Sequence, residues 1–469
     1  MNRASLKLMR GWANLGPRFL PFADAATPDL PLSKLLRLSL FQVSVGMALT
    51  LLIGTLNRVM IVELHVPVSL VAIMISLPLI AAPFRTLIGF RSDTHRSALG
   101  WRRVPFIFRG TMVQFGGLAT MPFALLVLAR AGDSVNYPEF VGQVSAAVAF
   151  LLVGAGVHTV QTVGLALATD LAPTESQPKV VGLMYVMLLF GMIASALLFG
   201  WLLTPFTPGR LVQVIQGAAV VTIVLNGIAM WKMESRNTAR EAASRIAPNF
   251  RAAWAAFIDG EHATRRLIAI GLGTMAFSME DVLLEPYGGQ ILHLSVGDTT
   301  KLTATLAIGG LFGFGLASRV LSRGFDPLRM AAYGALVGIP AFAAVIMAAP
   351  LGKSALLFGL GTACIGFGAG LFGHGTLTAT MQSAPASQTG LALGAWGAVQ
   401  ASAAGLAVAL GGVIRDVVHA FAPEAYDHLG IGYQFVYTLE IVLLCITLIA
   451  LIPLLRRSEG MSRAASSTP

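Results

Sequence analysis

Charged residues are scarce in this sequence of 469 residues: they make up 12% of the chain, against roughly 25% in soluble domains. Cysteine is nearly absent as well. The two cysteines, Cys364 and Cys445, lie far apart in apolar stretches, which excludes a disulfide framework and a cysteine-ligated metal site. The chain also lacks a Walker motif, a GxSxG motif and any zinc-ligand spacing. We therefore predict no enzymatic activity and no resident metal ion.

One glycine motif does occur, but in the wrong context for a nucleotide site. Residues 368–373 match GxGxxG inside a long apolar run, with no preceding strand and no βαβ pattern. A dinucleotide site requires that strand and the helix that follows it. We interpret these glycines as positions of helix packing.

Long apolar runs dominate what is present. Hydrophobic residues form 55% of the chain, and a membrane-spanning helix needs about 20 mostly apolar residues in succession. The sequence therefore predicts an all-α membrane protein with twelve transmembrane helices. The candidate spans are 38–62, 67–90, 104–129, 140–169, 179–203, 211–231, 267–292, 302–321, 330–349, 354–383, 388–414 and 431–455.

The basic residues indicate the orientation of these spans. The net charge of +10 comes from Lys and Arg placed between apolar runs, so we interpret it as a topology signal and expect no nucleic-acid partner. Most of the 32 Lys and Arg residues lie in the loops on the side of the two termini. Because Lys and Arg are enriched in cytoplasmic loops, both termini are predicted to be cytoplasmic. The opposite loops hold Arg130, Arg210, Lys301, Lys353 and Arg415.

The spans fall into two similar halves. The end of span four, 169–173, and the end of span ten, 381–385, share a polar residue followed by an Ala-Pro step, with a glycine opening the next span. Two six-helix pseudo-repeats joined by a basic loop are the layout of the major facilitator superfamily. The predicted segments are a cytoplasmic N-terminal segment (1–37), a first bundle (38–231), a cytoplasmic linker (232–266), a second bundle (267–455) and a cytoplasmic tail (456–469).

The loop after span two carries a signature that resembles the superfamily's loop motif. Gly89 is followed four residues later by Asp93, and then by Arg96, Arg102 and Arg103. The spacing after the acid is longer than is usual in the motif. The alternative interpretation is a set of basic residues that only anchors the loop on the cytoplasmic side.

A more specific resemblance rests on three segments: 54–64, which closes span one, 162–173, which closes span four, and 280–289 in span seven. Together they resemble the bacteriochlorophyll delivery family, the PucC/LhaA-type proteins of phototrophic bacteria. The resemblance implies a factor of the bacterial inner, intracytoplasmic photosynthetic membrane that helps to assemble light-harvesting antenna. Bacteriochlorophyll is then the expected ligand, and antenna polypeptides, pigment-synthesis enzymes and membrane lipids are the expected partners. The segment 11–24 favours the core antenna (LH1) over LH2.

Two other functions remain open at this point. A secondary transporter of a small molecule, driven by protons, would have a use for acids within the membrane. A chaperone without pigment would bind antenna helices through glycine-rich grooves. Co-purified pigment distinguishes these functions from pigment delivery, and proton-coupled flux identifies the transporter.

Ionisable residues within spans are costly and are candidates for function. Span seven contains Glu280, Asp281 and Glu285, of which the last two stand four residues apart and so share a helical face. Their natural partner is Arg58 in the pseudo-equivalent span one, unless that arginine extends to the interface. The pairing would either lock the halves together or serve proton coupling or pigment gating. Glu440 in span twelve is expected to be protonated or bonded to a Ser or Thr neighbour.

Two histidines, His158 in span four and His374 in span ten, are candidate pigment ligands. An imidazole nitrogen is a frequent metal ligand, and the magnesium of bacteriochlorophyll accepts one axial ligand. Glycines flank both positions, which would let a flat ring approach the backbone. The alternative is that these glycines pack helices together and that each histidine bonds across a helix pair.

Overall fold

The computed structural model describes residues 30–80, 85, 88, 91–92, 101–130, 132–173, 176–235, 263–321, 323–383, 389–421 and 430–466, and these are helical with short connections. The helices are α1 (Leu32–Glu63), α2 (Val68–Ile80), α3 (Val104–Leu128), α4 (Glu139–Leu171), α5 (Gln177–Leu202), α6 (Pro208–Met230), α7 (Ala263–Gln290), α8 (Val296–Leu321), α9 (Pro327–Ala348), α10 (Ala355–Ser383), α11 (Thr389–Phe421) and α12 (Ile431–Ser466).

The predicted all-α membrane fold is confirmed. Within the described ranges, eleven helices are long and apolar enough to cross a membrane, and Val68–Leu79 is a shorter apolar helix. Many of their large apolar side chains are exposed on the outside of the bundle, as expected of surfaces that face lipid. The chain is therefore a multi-pass membrane protein. The count of twelve spans, the cytoplasmic termini and the segment boundaries remain predictions.

Glycines allow α10 to lie against α8 and α9 with little separation. A Cβ atom at Gly370 would meet the carbonyl of Gly310 in α8, and one at Gly368 would meet the carbonyl of Gly334 in α9. Small residues at such contacts let helix backbones approach closely within a membrane. Both glycines belong to the GxGxxG run, which in this structure lies at helix–helix contacts.

The two halves of the bundle are in contact at one end. At that end α2 packs against α11, and α5 packs against α8. The Ser69 N–H donates to Asp416 Oδ2 at 2.6 Å, and Gly412 lies against Ala72. All these positions lie near the helix ends remote from Leu32, where α1 begins. The halves are thus closed against each other at the end opposite the start of α1.

At the other end of the first half, a carboxylate caps α3. Glu234, just after α6, accepts the N–H groups of Arg102, Arg103 and Val104 at 2.8–3.0 Å. It therefore caps the N-terminus of α3, where backbone donors have no partner within the helix. Arg102 and Arg103 both pair with Asp170 at the end of α4. These two arginines of the predicted loop motif thus join α3 to α4, whereas Gly89, Asp93 and Arg96 lie outside the described residues.

Replacement of Glu234 by Ala is expected to lower the free energy of unfolding by about 1–2 kcal/mol, the usual cost of losing a helix cap. Glu234→Gln should retain part of this, because its amide oxygen still accepts. Thermal unfolding in detergent measures both changes. Glu139→Ala is the matched control, since its ion pair with Arg130 is exposed and worth about 0–1 kcal/mol. An equal loss in the Glu234 and Glu139 variants would contradict the capping role.

Candidate functional site

The candidate site begins with a break in α7. The helix Ala263–Ala276 gives way to a 3-10 turn at Glu280–Val282 and resumes at Leu284–Gln290. Pro286 has no N–H for the Val282 carbonyl four residues before it, and Asn57 Nδ2 of α1 donates to that carbonyl at 2.9 Å. Interrupted membrane helices commonly form the binding sites of transporters, because non-helical backbone at that depth must be satisfied by neighbouring groups.

Two of the predicted acids line a cavity between the halves. Asp281 and Glu285 border a space of about 50 Å³, so the structure brings both to one side of the broken helix. The Thr303 hydroxyl of α8 donates to Glu285 Oε1, while the other oxygen of Glu285 is buried without a partner. We call this space the interhalf cavity. Its remaining lining residues are Leu49, Ile53, Met192, Leu284, Leu302 and Leu306.

The prediction that Arg58 forms an ion pair with Asp281 or Glu285 is wrong. Its guanidinium forms an ion pair with Glu63 and donates to the Leu294 carbonyl at 3.3 Å. Glu285 is close enough for an electrostatic interaction but belongs to no ion pair with Arg58. The physical reason is that α1 is a π-helix over Thr50–Leu56 and again over Val59–Glu63. The wider π turn brings together side chains five residues apart.

The third predicted acid of span seven has a different neighbour. Glu280 is 1% exposed and interacts electrostatically with Glu440 of α12, which is 0% exposed. Both carboxyl oxygens of Glu440, and the Tyr437 hydroxyl beside them, have no hydrogen-bond partner in the described part of the chain. The expected Ser or Thr neighbour is therefore not bonded to Glu440. Two like charges cannot be held in such a site, so at least one carboxyl must be neutral.

His158 of α4 belongs to a polar cluster between α2 and α4. Its ring interacts with the backbone of Pro78 and with the charge of Arg85, and its Nδ1 is buried without a partner. Arg85 in turn donates to Gln161 Oε1 at 2.8 Å and to Thr162 Oγ1 at 2.9 Å. We call these residues the α2–α4 cluster.

The glycines beside His158 do not offer an open face. A Cβ at Gly154 would collide with Pro78, one at Gly156 with the backbone of Gln114, and one at Gly164 with the ring of Phe41. The prediction that these glycines leave room for a flat ring is therefore wrong. They are filled by neighbouring helices, as the packing alternative proposed.

His374 lies in a more apolar setting. Its ring packs on Phe314 of α8 with centroids 4.2 Å apart, and its Nδ1 is also buried without a partner. Gly375 contacts the backbone of Ala331, but no atom lies within 4 Å of a Cβ built at Gly373. The structure thus places the two histidines in different surroundings within the two halves. In the described residues no group of three or more His, Cys, Asp or Glu could hold a metal ion.

Sequence reasoning missed several of these groups. Glu63 lies inside segment 54–64, but its spacing of five residues from Arg58 brings the two side chains together in a π-helix and not in a regular α-helix. Glu234 follows a span directly, and Thr303 is an ordinary hydroxyl in an apolar run; neither has a signal in the sequence. Arg85 did have a signal in the sequence, because a basic residue within an apolar run needs a partner for its charge.

Comparisons with known proteins agree with this fold. The family model for the PUCC protein matches residues 55–459. The chain is 65% identical over 422 residues to protein PucC of Rhodovulum sulfidophilum, covering 89% of this chain and 92% of that one. It is 29% identical to the bacteriochlorophyll synthase 44.5 kDa chain of Rhodobacter capsulatus, covering 84% of this chain and 89% of that one.

The fold has relatives among solved transporter structures. A bacterial homologue of the human lysosomal transporter Spinster, in an inward-facing conformation, superposes with a TM-score of 0.64 at 15% identity. The superposition covers 89% of this chain and 95% of that structure. At this identity the likeness concerns the fold alone, which is major-facilitator-like. With a family model that matches most of its length, the chain belongs to the PUCC protein family.

Proposed function

We propose that this protein is a membrane factor for the assembly of photosynthetic light-harvesting complexes, which binds bacteriochlorophyll and hands it to antenna polypeptides. The observation that carries the pigment part of the proposal is the buried Nδ1 of His158, which has no partner. Family membership supports the assembly role, and a relative named as a bacteriochlorophyll synthase chain supports the link to the pigment.

The chemistry of His158 fits an axial ligand of magnesium. Pro78 has a carbonyl but no N–H, so its backbone can interact with the imidazole only by accepting the ring proton. In the tautomer in which the other ring nitrogen carries the proton, Nδ1 keeps a lone pair, an arrangement common among metal-ligating histidines. The residue is partly exposed, but Nδ1 itself is buried, so ligation of magnesium would require α2 and α4 to move apart. His374 has the same free nitrogen and is the second candidate.

We expect His158→Phe to reduce the bacteriochlorophyll bound per protein by more than half while the protein still reaches the membrane. The phenyl ring keeps the apolar volume but supplies no lone pair. The measurement is the ratio of pigment to protein absorbance after purification in mild detergent. His158→Asn should restore part of the ratio, because magnesium also accepts oxygen donors.

The controls separate ligation from packing. His419→Phe changes an exposed histidine and should leave the ratio unchanged, while His374→Phe should have a smaller or additive effect. If both protein yield and pigment fall in step, so that the ratio stays constant, His158 is a packing residue. Wild-type protein without any pigment would support the pigment-free chaperone instead.

A proton-coupled transporter is the second candidate, because the interhalf cavity holds two carboxyl side chains and the halves close at one end. Flux driven by a proton gradient in vesicles, lost in Asp281→Asn, would favour it. The choice of antenna rests on 11–24, which lie outside the described residues. We propose LH1, and a deletion strain that loses LH2 while retaining LH1 would overturn that choice.

A further inference from the structure

A second cavity, of about 470 Å³, lies within the second half at the end of the bundle opposite the start of α1. Its walls are the end of α7, the connection between α9 and α10, the last two turns of α11 and the first turn of α12. We call it the α7–α12 cavity. It shares no lining residue with the interhalf cavity, and its volume is within the usual range of small-molecule sites, about 300–1,000 Å³.

The α7–α12 cavity gathers basic side chains at an end of the molecule where they are few. Only five Lys and Arg residues are predicted in the loops opposite the termini, and two of them, Lys353 and Arg415, line this cavity. His293 and His419 line it as well, and the lining residues that the structure describes include no acid. A concave wall of one sign of charge attracts ligands of the opposite sign.

Arg415 is held in the cavity wall by its neighbours. Its Nη2 donates to Gln290 Oε1 at 3.0 Å, and the same oxygen accepts the Tyr433 hydroxyl at 2.7 Å. The guanidinium carbon lies 4.5 Å from the centre of the Tyr433 ring. Its Nη1 pairs with Asp416 Oδ1 at 2.9 Å, so Asp416 offsets this charge. Arg415 is therefore a positioned donor, and the net charge of the wall comes from elsewhere.

Lys353 supplies that charge. Its Nζ lies 2.8 Å from Nε2 of His293, and an ammonium group can only donate. The imidazole therefore accepts through that nitrogen and is neutral, so this contact leaves the charge of the lysine in place. Both side chains are exposed, so a ligand can reach them from outside.

The outer surface beside the cavity is apolar. Leu351 and Leu356 flank Lys353 in the chain, and Phe421 and Phe435 stand at the neighbouring ends of α11 and α12. Each of these four side chains is more than half exposed. The ends of membrane helices lie near the lipid headgroups, where basic pockets between helices bind anionic headgroups. The combination of a basic cavity and an apolar surround fits a ligand with both an anionic group and acyl chains.

We propose that the α7–α12 cavity binds the phosphate group of an anionic phospholipid, with Lys353 and Arg415 as its donors. Arginine offers phosphate a planar fork of N–H groups, and lysine offers a point charge. The inference does not depend on pigment binding, because none of these residues belongs to the sites of His158 or His374. Free inorganic phosphate presents the same chemistry, so the experiment must distinguish the two sources.

The test uses the purified full chain in nanodiscs of phosphatidylcholine, alone and with increasing fractions of phosphatidylglycerol. Thermal unfolding reports binding, because a ligand of the folded state stabilises it. Wild type should be stabilised until the effect saturates. Lys353→Gln should need about fivefold more phosphatidylglycerol for the same stabilisation, the usual effect of one basic residue at an anionic membrane surface.

Lys301→Gln is the matched control. Lys301 is an exposed lysine near the start of α8, at the same end of the bundle, and it pairs with Asp298. Its replacement should leave the response to phosphatidylglycerol as in wild type. Arg415→Lys keeps the charge but not the planar fork, and it should also weaken the response. Its unfolding in phosphatidylcholine alone shows whether it remains folded.

The 422–429 stretch, which contains Glu424 and Asp427, precedes the lining residue Gly430 and lies outside the described part of the chain. A double variant, Glu424→Gln with Asp427→Asn, therefore completes the set. If wild type does not respond to phosphatidylglycerol but this variant does, carboxylates of the chain itself occupy the cavity and the inference is overturned.

Two further results would overturn it. An equal loss of response in Lys353→Gln and Lys301→Gln would mean a general attraction to the charged surface, without a site. If inorganic phosphate stabilises wild type in phosphatidylcholine discs as much as phosphatidylglycerol does, and Lys353→Gln abolishes this effect, the ligand is a free anion and not a lipid.

Discussion

Glu63→Gln is expected to lower the free energy of unfolding by about 1–3 kcal/mol, between the costs of breaking an exposed and a buried ion pair, because the Arg58 side chain is 5% exposed and that of Glu63 35%. Arg58 is 4% exposed, and its guanidinium forms an ion pair with Glu63. Without Glu63, the buried guanidinium of Arg58 keeps only its hydrogen bond to the Leu294 carbonyl and an electrostatic interaction with Glu285. Thermal unfolding in detergent, or the yield of folded protein, measures the loss.

A second pair of variants identifies the partner of Arg58. Arg58→Met combined with Glu63→Leu removes both charges and should recover part of the loss, because no buried cation is then left without its partner. Arg58→Met combined with Asp281→Leu should give no such recovery. Arg130→Gln is the matched control, with an expected cost of about 0–1 kcal/mol for an exposed pair. Recovery in Arg58→Met combined with Asp281→Leu would instead support the pairing of Arg58 with Asp281 that the sequence predicts.

The membrane fold was predictable because it follows from the chemistry of a chain surrounded by lipid. Apolar runs of about 20 residues with few charges can satisfy their backbone groups within lipid only as helices, and the repeat of an Ala-Pro step at 172–173 and 384–385 indicates two halves. The break of α7 at Glu280–Val282 has one signal in the sequence, Pro286, which has no N–H for the Val282 carbonyl four residues before it. The group that satisfies this carbonyl was not predictable, because Asn57 lies more than two hundred residues away in the chain.

The candidate site was predictable only where local spacing decides the geometry. Asp281 and Glu285 are four residues apart, and they border one cavity. Arg58 and Glu63 are five residues apart, a spacing that pairs only once α1 adopts π turns. The glycines near His158 could not be interpreted from sequence, because an open face and a filled helix contact have the same composition. Only the positions of Pro78, Gln114 and Phe41 separate the two.

Gly412→Val is expected to open the halves at the end where they meet. A Cβ at Gly412 would collide with Ala72 and lie 2.9 Å from the Val68 carbonyl, so α11 and α2 must move apart. Overpacking of this kind costs about 1–3 kcal/mol, which shifts an equilibrium between closed and open arrangements by about 5–150-fold. The interhalf cavity with its two carboxyl side chains would then become accessible from that end.

Labelling of a single cysteine at Ile53, which lines that cavity, measures the opening in a background without Cys364 and Cys445. The rate of reaction with a membrane-impermeant maleimide should rise about tenfold or more in Gly412→Val. Gly217→Val is the matched control, because nothing lies within 4 Å of a Cβ at Gly217. Since that glycine is exposed on α6, its replacement leaves the contact between the halves intact. A labelling rate that is unchanged in folded Gly412→Val would mean that another contact, such as Gly200 with Gly297, is sufficient to keep the halves closed.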